Sequence, residues 1–255
     1  MIGQEQKASA EKSAYISEYF RREHVAIAER LASYGMSRIE AYNTDRWYIG
    51  SPEDATLRKY YRAEYMGRSC FVKLASHDSS SRNEIFVNEH MARGGLDFVP
   101  KLLLFDHDFD RDGTLLVTEF LEGIRDFQMA ATAEGFASQC AEFLADLKLL
   151  RRLGVHHNDI SRSNLLLDSQ GRLVFSDFGI GYAPGAEKFH IDYRVHDGTF
   201  YRDHGHMRRY DDAYSFVRML EALGLPDEYK ATREYASVCA EIDGDPFVVD
   251  LEVRR

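Results

Sequence analysis

Three polar side chains suited to a metal-dependent transfer reaction lie close together in the sequence. The run HNDISRSN, residues 157–164, contains Asp159 and Asn164, and Asp177 follows in the run SDFG. A carboxylate such as Asp159 can accept the proton of an attacking hydroxyl, and the oxygens of Asn164 and Asp177 are the ligand type that Mg²⁺ prefers. Phosphoryl transfer requires positioning and charge neutralisation by a metal. The pattern therefore predicts this reaction, with Asp159 as the catalytic base and Asn164 and Asp177 as metal ligands.

The same segment resembles a known pair of motifs. It is similar to the protein-kinase catalytic loop H-R-D-x-x-x-x-N followed by D-F-G, with Val155 before the loop and an apolar triplet after it. In addition, Asp212 in DAYSF resembles the start of the kinase helix whose aspartate braces the catalytic-loop backbone. The chain is thus identified as a small, atypical member of the protein-kinase-like superfamily. This resemblance implies ATP and Mg²⁺ as cofactors and a two-lobed fold.

A lysine that would contact the nucleotide phosphates follows from the same resemblance. Lys73 lies near the end of the predicted strand SCFVKLA and is similar to the lysine of the kinase motif V-A-I-K. Its acidic partner is expected on the following helix, where Glu89 and Glu84 compete. The separation from Lys73 is nearer to the usual kinase value for Glu89, which is favoured on that ground.

Two further segments would hold the nucleotide. The run LVTEFLEG resembles the last N-lobe strand and the hinge, which implies that the backbone of Glu119 and Leu121 binds adenine. Gly50 is the one glycine that remains where kinases have a glycine-rich loop, and Pro52 stands at another of the glycine positions. Proline has no amide hydrogen to offer a phosphate. The resemblance therefore predicts a weakened phosphate-binding loop.

Several residues depart from the kinase pattern. Asn158 replaces the arginine that usually pairs with a phosphate on the activation segment, so activation by phosphorylation of that segment is not expected. Phe71 stands where a small alanine usually lies under adenine, which predicts lower nucleotide affinity. Ser161 lies two residues after Asp159, where kinases usually have lysine, and this replacement resembles small atypical kinases of the RIO type. The H-N-D form resembles bacterial kinases that act on surface glycans.

The hydrophobic periodicity predicts an α+β fold. The pattern indicates a β-rich half and then a mostly α half, with the boundary near residue 121. With the kinase resemblance, this implies an N-terminal helical extension over 1–45, a β-rich N-lobe over 46–121 and a mostly α, shortened C-lobe over 122–255, which together form a single catalytic domain. The helical extension is predicted as one helix over 4–34. A second helix, from about residue 134, has a buried face that ends at Gly154, and NLLLDSQGRLVFSD predicts a hairpin.

Composition limits the partners. The chain has 255 residues, 44% hydrophobic residues and a net charge of −10, which fits a globular protein and disfavours nucleic acid as the main partner. It has no apolar run long enough for a membrane span and no signal-peptide pattern. Three widely spaced cysteines fit a reducing compartment. These features predict a cytoplasmic protein and are also compatible with export to a host or peripheral membrane association; they do not indicate an oligomeric state.

A calcium site competes for part of the sequence. The run DFDRDGTLLVTE, residues 108–119, fits the EF-hand loop pattern. An EF-hand needs a helix on each side, whereas the flanking runs KLLLFD and LLVTEFL predict strands. A turn between two strands is therefore favoured over calcium binding.

The acceptor of the phosphoryl group is open to alternatives. A protein Ser/Thr hydroxyl is the first choice, because Gly198–Thr199 resembles the kinase segment that faces such residues. A surface glycan, a lipopolysaccharide or a small molecule is the second choice. A pseudokinase that serves as a binding scaffold is the alternative from another class, favoured by the altered glycine loop and opposed by Lys73 and the Asp-Asn-Asp set.

Overall fold

The chain divides into two compact units. The computed structural model describes residues 2–49, 57–76, 79–96, 98–110, 113–121, 125–126, 135–186, 201–204, 207–210 and 212–244. The first unit comprises 1–81 and 102–120, and the second comprises 82–101 and 121–255. The fold is α+β, with an antiparallel sheet in the first unit and mostly helices in the second, as the sequence predicts.

The first unit is built on one antiparallel sheet. Its strands run in the order β1-β3-β4-β6-β5, and β2 also pairs with β3. Its helices and strands are α1 (Ile2–Arg22), α2 (His24–Ser33), β1 (Met36–Ala41), β2 (Tyr48–Ile49), β3 (Leu57–Tyr65), β4 (Arg68–Ser76), β5 (Leu102–Asp110) and β6 (Gly113–Glu119).

A tight turn fixes the register of β3 and β4. Met66 and Gly67 have φ values of 51° and 74°, and Tyr65 pairs with Arg68 across the turn. Two central residues with positive φ match the twist of a two-residue hairpin, and glycine adopts this conformation without a steric penalty. The turn that the sequence predicts between these strands is confirmed.

The N-terminal helices share a core with the sheet. Tyr19 of α1 is 1% exposed and packs edge-on against Trp47 with ring centroids 5.2 Å apart. Leu31 of α2 is buried in the same cluster, which includes the β3 and β4 residues Tyr61 and Val72. The helices therefore belong to the same compact unit as the strands.

The second unit holds most of the remaining helices. It includes α3 (Ser79–Gly94) from residue 82 onward, and its three-stranded sheet runs in the order β7-β8-β9. A separate hairpin joins β10 and β11. The other elements are α4 (Phe136–Arg152), β7 (Arg125–Asp126), β8 (Leu165–Leu167), β9 (Leu173–Phe175), β10 (Tyr201–His204), β11 (Met207–Tyr210), α5 (Asp212–Ala222) and α6 (Arg233–Gly244).

The core of the second unit forms around α4. The predicted apolar face of this helix is buried, and Phe143 stacks on Phe175 of β9 at 4.4 Å and contacts Phe216 of α5 at 4.5 Å. Helix α4 and strand β9 therefore pack directly against each other. This packing places the loop between α4 and β8 next to the end of β9.

The structure differs from the sequence prediction in three places. The predicted helix over 4–34 is two helices separated at Glu23, and β1 and the β10–β11 hairpin were not predicted. Short polar strands such as RIEA and MRRY lack a clear apolar alternation, which explains the omissions. The flanks of the EF-hand-like run are paired strands, as expected. The predicted boundaries at 46 and 122 stay predictions.

None of the helices among the described residues combines the length and the apolar character of a membrane-spanning segment.

Candidate active site

Asp159 and Asn164 are joined by hydrogen bonds within the loop between α4 and β8. The Asn164 Nδ2 donates to the Asp159 carbonyl oxygen at 3.0 Å and to the carboxylate Oδ2 at 2.8 Å. Asn164 is 8% exposed, whereas Asp159 is half-buried. Both contacts use the nitrogen of the amide. Its Oδ1 accepts a long hydrogen bond from the Ser163 hydroxyl at 3.4 Å and has a second lone pair that can bind a cation.

His157 packs beneath this loop. It is fully buried, its Nδ1 accepts the Asp159 amide hydrogen at 3.2 Å, and its Nε2 lies 2.9 Å from the Ser176 carbonyl oxygen. These two contacts assign the proton to Nε2, which donates to Ser176. The ring lies 4.5 Å from that of Phe178. His157 is therefore a packing residue that fixes the backbone at Asp159.

The N-terminus of α5 fixes the same loop. Asp212 accepts the amide hydrogens of His157 at 2.8 Å and of Asn158 at 2.9 Å. One turn later, Ser215 donates its hydroxyl to the Ile160 carbonyl at 3.1 Å. The bracing aspartate that the resemblance implies is confirmed.

Asp177 lies next to Asn164. The residue before it, Ser176, donates its amide and its hydroxyl to the Asn164 carbonyl oxygen at 2.9 and 3.0 Å. The backbone of Asp177 is in the left-handed region, with φ 62°. The structure thus brings Asp159, Asn164 and Asp177 together within the second unit.

The oxygen ligands at this position fit Mg²⁺. An amide oxygen from Asn164 and a carboxylate from Asp177 are hard ligands, and Mg²⁺ typically takes only one or two carboxylates and keeps several waters. Among the described residues, no cluster of three or more His, Cys, Asp or Glu side chains suggests a closed protein cage for a metal. The two oxygens are thus of the type that Mg²⁺ takes from a protein.

His156 adds no charge to this region at neutral pH. Burial, and secondarily the positive charge of Arg151, lower its pKa to about 4. Its backbone pairs with Tyr182 in an antiparallel bridge. The imidazole is therefore neutral, and the backbone at residue 156 connects the loop to the segment that follows Asp177.

The first unit carries other predicted nucleotide residues. Lys73 of β4 is 5% exposed and pairs with Tyr60 on one side and Leu116 on the other. Glu119 is exposed at the end of β6, opposite Cys70. Their predicted contacts with a nucleotide stay predictions, as does that of Leu121, the half-buried first residue of the second unit after β6. Gly50 lies outside the described residues.

The two candidate partners of Lys73 differ in environment. Glu84 is 5% exposed, whereas the side chain of Glu89 is 28% exposed and lies 3.9 Å from the Arg93 guanidinium. Glu89 is the residue that sequence separation favours, and burial favours Glu84. Burial along α3 is the signal that the sequence did not supply.

An aromatic cluster shares a face of the sheet with Lys73. Phe71 lies two residues earlier on β4 and stacks on Tyr60 with ring centroids 5.5 Å apart. Tyr42 meets Phe71 edge-on at 6.1 Å and Phe120 at 5.3 Å. The large side chain of Phe71, which replaces the usual alanine, is thus part of a larger aromatic surface.

Comparison with known proteins gives partial similarity to kinases. No family model matches the chain. It is 32% and 31% identical over 164 and 163 residues, 57% of this chain in each case, to two probable leucine-rich-repeat receptor-like serine/threonine-protein kinases of Arabidopsis thaliana. It is 29% identical over 120 residues, 46% of this chain, to the serine/threonine-protein kinase PAK 5 of Rattus norvegicus. The chain spans only 16% to 17% of the length of these relatives.

A similar solved structure is the Cydia pomonella granulovirus kinase PK-1. It is 18% identical, with a TM-score of 0.43, and the match covers 63% of this chain and 56% of that one. Over part of its length, the chain is thus similar in sequence to curated serine/threonine-protein kinases.

Proposed function

We propose that this chain is an ATP-dependent phosphotransferase that moves the γ-phosphoryl group to a hydroxyl acceptor. The observation that carries the proposal is the hydrogen-bonded pair of Asp159 and Asn164 with Asp177 beside it. This arrangement supplies a carboxylate for the acceptor hydroxyl and two oxygen ligands for a cation. These are the contributions that phosphoryl transfer needs from a protein.

Each residue has a distinct proposed role. Asp159 orients the acceptor hydroxyl and takes its proton, and its position is set by Asn164 and by the His157 ring. Asn164 and Asp177 hold Mg²⁺, which when bound neutralises charge on the phosphates. Lys73 supplies a further positive charge to the phosphates. Glu119 and Leu121 offer backbone groups to the adenine.

A protein Ser/Thr hydroxyl is the proposed first-choice acceptor. The similarity to curated serine/threonine-protein kinases supports this choice. The Gly198–Thr199 pair that favours it in the sequence lies outside the described residues. A glycan or small-molecule hydroxyl is the alternative acceptor, and separate assays with a Ser/Thr protein and with lipopolysaccharide distinguish protein from glycan.

The first prediction concerns Asp159 and Asp177. We expect Asp159→Asn and Asp177→Asn each to lower Mg²⁺-dependent transfer from labelled ATP by at least about 100-fold, because one removes the proton acceptor and the other a metal ligand. Transfer is measured to a generic Ser/Thr protein, to lipopolysaccharide and to the chain itself. Circular dichroism checks that each variant is folded.

Asp168→Asn is the matched control. Asp168 lies in the turn between β8 and β9, where its carboxylate accepts the amide hydrogens of Gln170 and Arg172 at 2.8 and 2.9 Å. Asparagine retains an accepting oxygen there, so transfer should persist. Near-normal transfer by both the Asp159 and Asp177 variants would refute the proposed roles.

A pseudokinase that serves as a binding scaffold with little turnover is the alternative that one observation favours. Phe71 and Tyr60 place a stacked aromatic pair on the face of the sheet that carries Lys73. Bulky rings in that position would oppose adenine binding at its usual depth. A folded chain that neither hydrolyses ATP nor phosphorylates itself or an offered acceptor, with Mg²⁺ present, would support the scaffold and count against the enzyme.

A further inference from the structure

Two buried asparagines bind the backbone that follows Asp177. The Asn83 Nδ2 donates to the carbonyl oxygens of Gly179 at 3.1 Å and Gly181 at 2.7 Å. The Asn158 Nδ2 donates to the Ile180 carbonyl oxygen, between them, at 3.1 Å. Three successive carbonyl groups are thus satisfied by side-chain amides from two different elements, α3 and the loop after α4.

Backbone contacts fix the two carbonyls on either side of these three. The Phe178 carbonyl accepts the Gly181 amide hydrogen at 2.9 Å, and the Tyr182 carbonyl accepts that of His156 at 2.9 Å. A Cβ on Gly181 would lie 3.0 Å from the His156 carbonyl oxygen and 3.1 Å from that of Phe178. The backbone at Gly181 is therefore packed so closely against the loop that it leaves no room for a side chain.

Because the two asparagines are buried, the loss of these hydrogen bonds would be costly. Asn83 is 5% exposed and Asn158 is 3% exposed, so water does not replace a lost bond readily. An asparagine amide has two N–H groups, and Asn83 uses its Nδ2 for both of its carbonyl partners. Aspartate in its place, when ionised, could donate to neither carbonyl.

Two residues next to these bonds have backbones in the left-handed region. Asp177 has φ 62° and Asn158 has φ 63°, values that residues other than glycine adopt infrequently. Such conformations persist only when the surrounding structure fixes them. The carbonyls of Gly179, Ile180 and Gly181 begin two residues after Asp177, so holding them limits the rotation of the Asp177 backbone.

We propose that Asn83 and Asn158 are positioning residues that hold the Asp177 carboxylate in its metal-binding orientation by fixing the backbone of residues 179–181. This inference rests on the proposed function, because it assigns Asp177 a metal to bind. These hydrogen bonds join uncharged amide and carbonyl groups. The restraint on residues 179–181 therefore does not depend on a phosphate group. Partners outside the first ligand shell typically change metal affinity or activity by 10- to 100-fold when they are lost.

Two variants test the proposal in the full chain. Asn83→Ala removes both bonds from α3. Asn158→Gly removes the bond to Ile180 and keeps a residue that tolerates positive φ, so backbone strain does not confuse the result. We expect each variant to need about 10-fold more Mg²⁺ for half-maximal transfer, with an unchanged KM for the acceptor. Hydrogen–deuterium exchange at Gly181 and Tyr182, whose amides are hydrogen-bonded, should become faster.

Asn88→Ala is the matched control. Asn88 lies on the same helix as Asn83, is 7% exposed, and donates its Nδ2 to the Glu84 carbonyl of its own helix at 2.8 Å. Its replacement removes a buried asparagine without touching residues 179–181. We expect wild-type exchange at those residues and a wild-type Mg²⁺ requirement.

The outcomes separate this proposal from the proposed function. Wild-type chain without Mg²⁺-dependent transfer would refute the function and, with it, the positioning of a metal ligand. Active wild type, with an unchanged Mg²⁺ requirement in both folded variants, would overturn the positioning proposal alone. A raised Mg²⁺ requirement without faster exchange would also overturn it, since the effect would not pass through the segment. If one variant fails to fold by circular dichroism, the other decides.

Discussion

Glu84 and Glu89 are the residues for which separation along the sequence and burial favour different assignments. Glu84 is 5% exposed, and Glu89 lies partly exposed beside Arg93 in a helical i, i+4 pair. A buried carboxylate is costly unless it has a partner of opposite charge or hydrogen-bond donors, whereas an exposed pair contributes little. At the residue scale, we therefore propose Glu84 over Glu89 as the predicted acidic residue.

This assignment predicts a difference between two conservative variants. We expect Glu84→Gln to lower phosphoryl transfer by at least about 10-fold, because it removes the carboxylate charge that the proposal assigns to this site, and Glu89→Gln to change it by less than about 3-fold. Steady-state rates at saturating Mg²⁺ provide the measurement. The reverse order of effects would restore Glu89, the residue favoured by its separation from Lys73.

Helix α5 acts on the site as an element. Its first residue, Asp212, accepts two backbone amide hydrogens from the loop, and Ser215 donates to a third backbone group. These contacts join residues 54 and 55 positions apart in the sequence. The helix thus sets the path of the backbone on both sides of Asp159, although none of its residues needs to contact a substrate.

The element-scale prediction is that Asp212→Asn loosens the loop. Bonds from amides to an ionised carboxylate are stronger than those to a neutral amide, and only one asparagine oxygen can accept. We expect the free energy of unfolding to fall by about 2 kcal/mol and transfer to fall about 10-fold. Urea unfolding and steady-state rates are the measurements.

Asp227→Asn serves as the control for the Asp212 variant. The side chain of Asp227 is 74% exposed and lies 3.8 Å from Lys230. An exposed pair of this kind contributes little to stability, so both quantities should stay at wild-type values. Equal effects of the Asp212 and Asp227 variants would mean that the contacts of Asp212 with the loop are unimportant.

At the scale of the whole molecule, the described residues form two hydrophobic clusters, one in each unit. Trp47, the one tryptophan of the chain, is 1% exposed within the cluster of the first unit. Tyr19 joins α1 to that cluster, because its ring contacts Trp47 and its hydroxyl bonds to the hydroxyl of Tyr61. The Lys59 ammonium also lies 4.0 Å from the centroid of the Tyr19 ring. Residues 1–45 therefore share their core with the strands that follow.

Tyr19→Ala tests this shared core. Replacing a fully buried aromatic residue by alanine leaves a cavity. We therefore expect the free energy of unfolding, followed by Trp47 fluorescence, to fall by about 3 kcal/mol. Val25→Ala on α2, where the native residue is 63% exposed, is the control and should cause little change. An unchanged Trp47 transition in Tyr19→Ala would support a separate N-terminal extension.

The sequence by itself determines the chemistry of the candidate site. Asp159, Asn164 and Asp177 lie within one loop and one hairpin, so their short separations constrain where they can be, and the structure brings them together. The α+β fold also follows from local patterns, because strand alternation and the apolar face of α4 depend on neighbouring residues. Gly50 and residues 187–200 lie outside what the structure describes.

Only the tertiary structure decided which distant residues support that site. The Asn83 bonds to Gly179 and Gly181 span 96 and 98 positions, and the burial of Glu84 depends on what packs around α3. No local pattern specifies such contacts, because they arise from the packing of helices and loops that are distant in the chain. The sequence therefore contains the reactive groups, and the packing decides how firmly they are held.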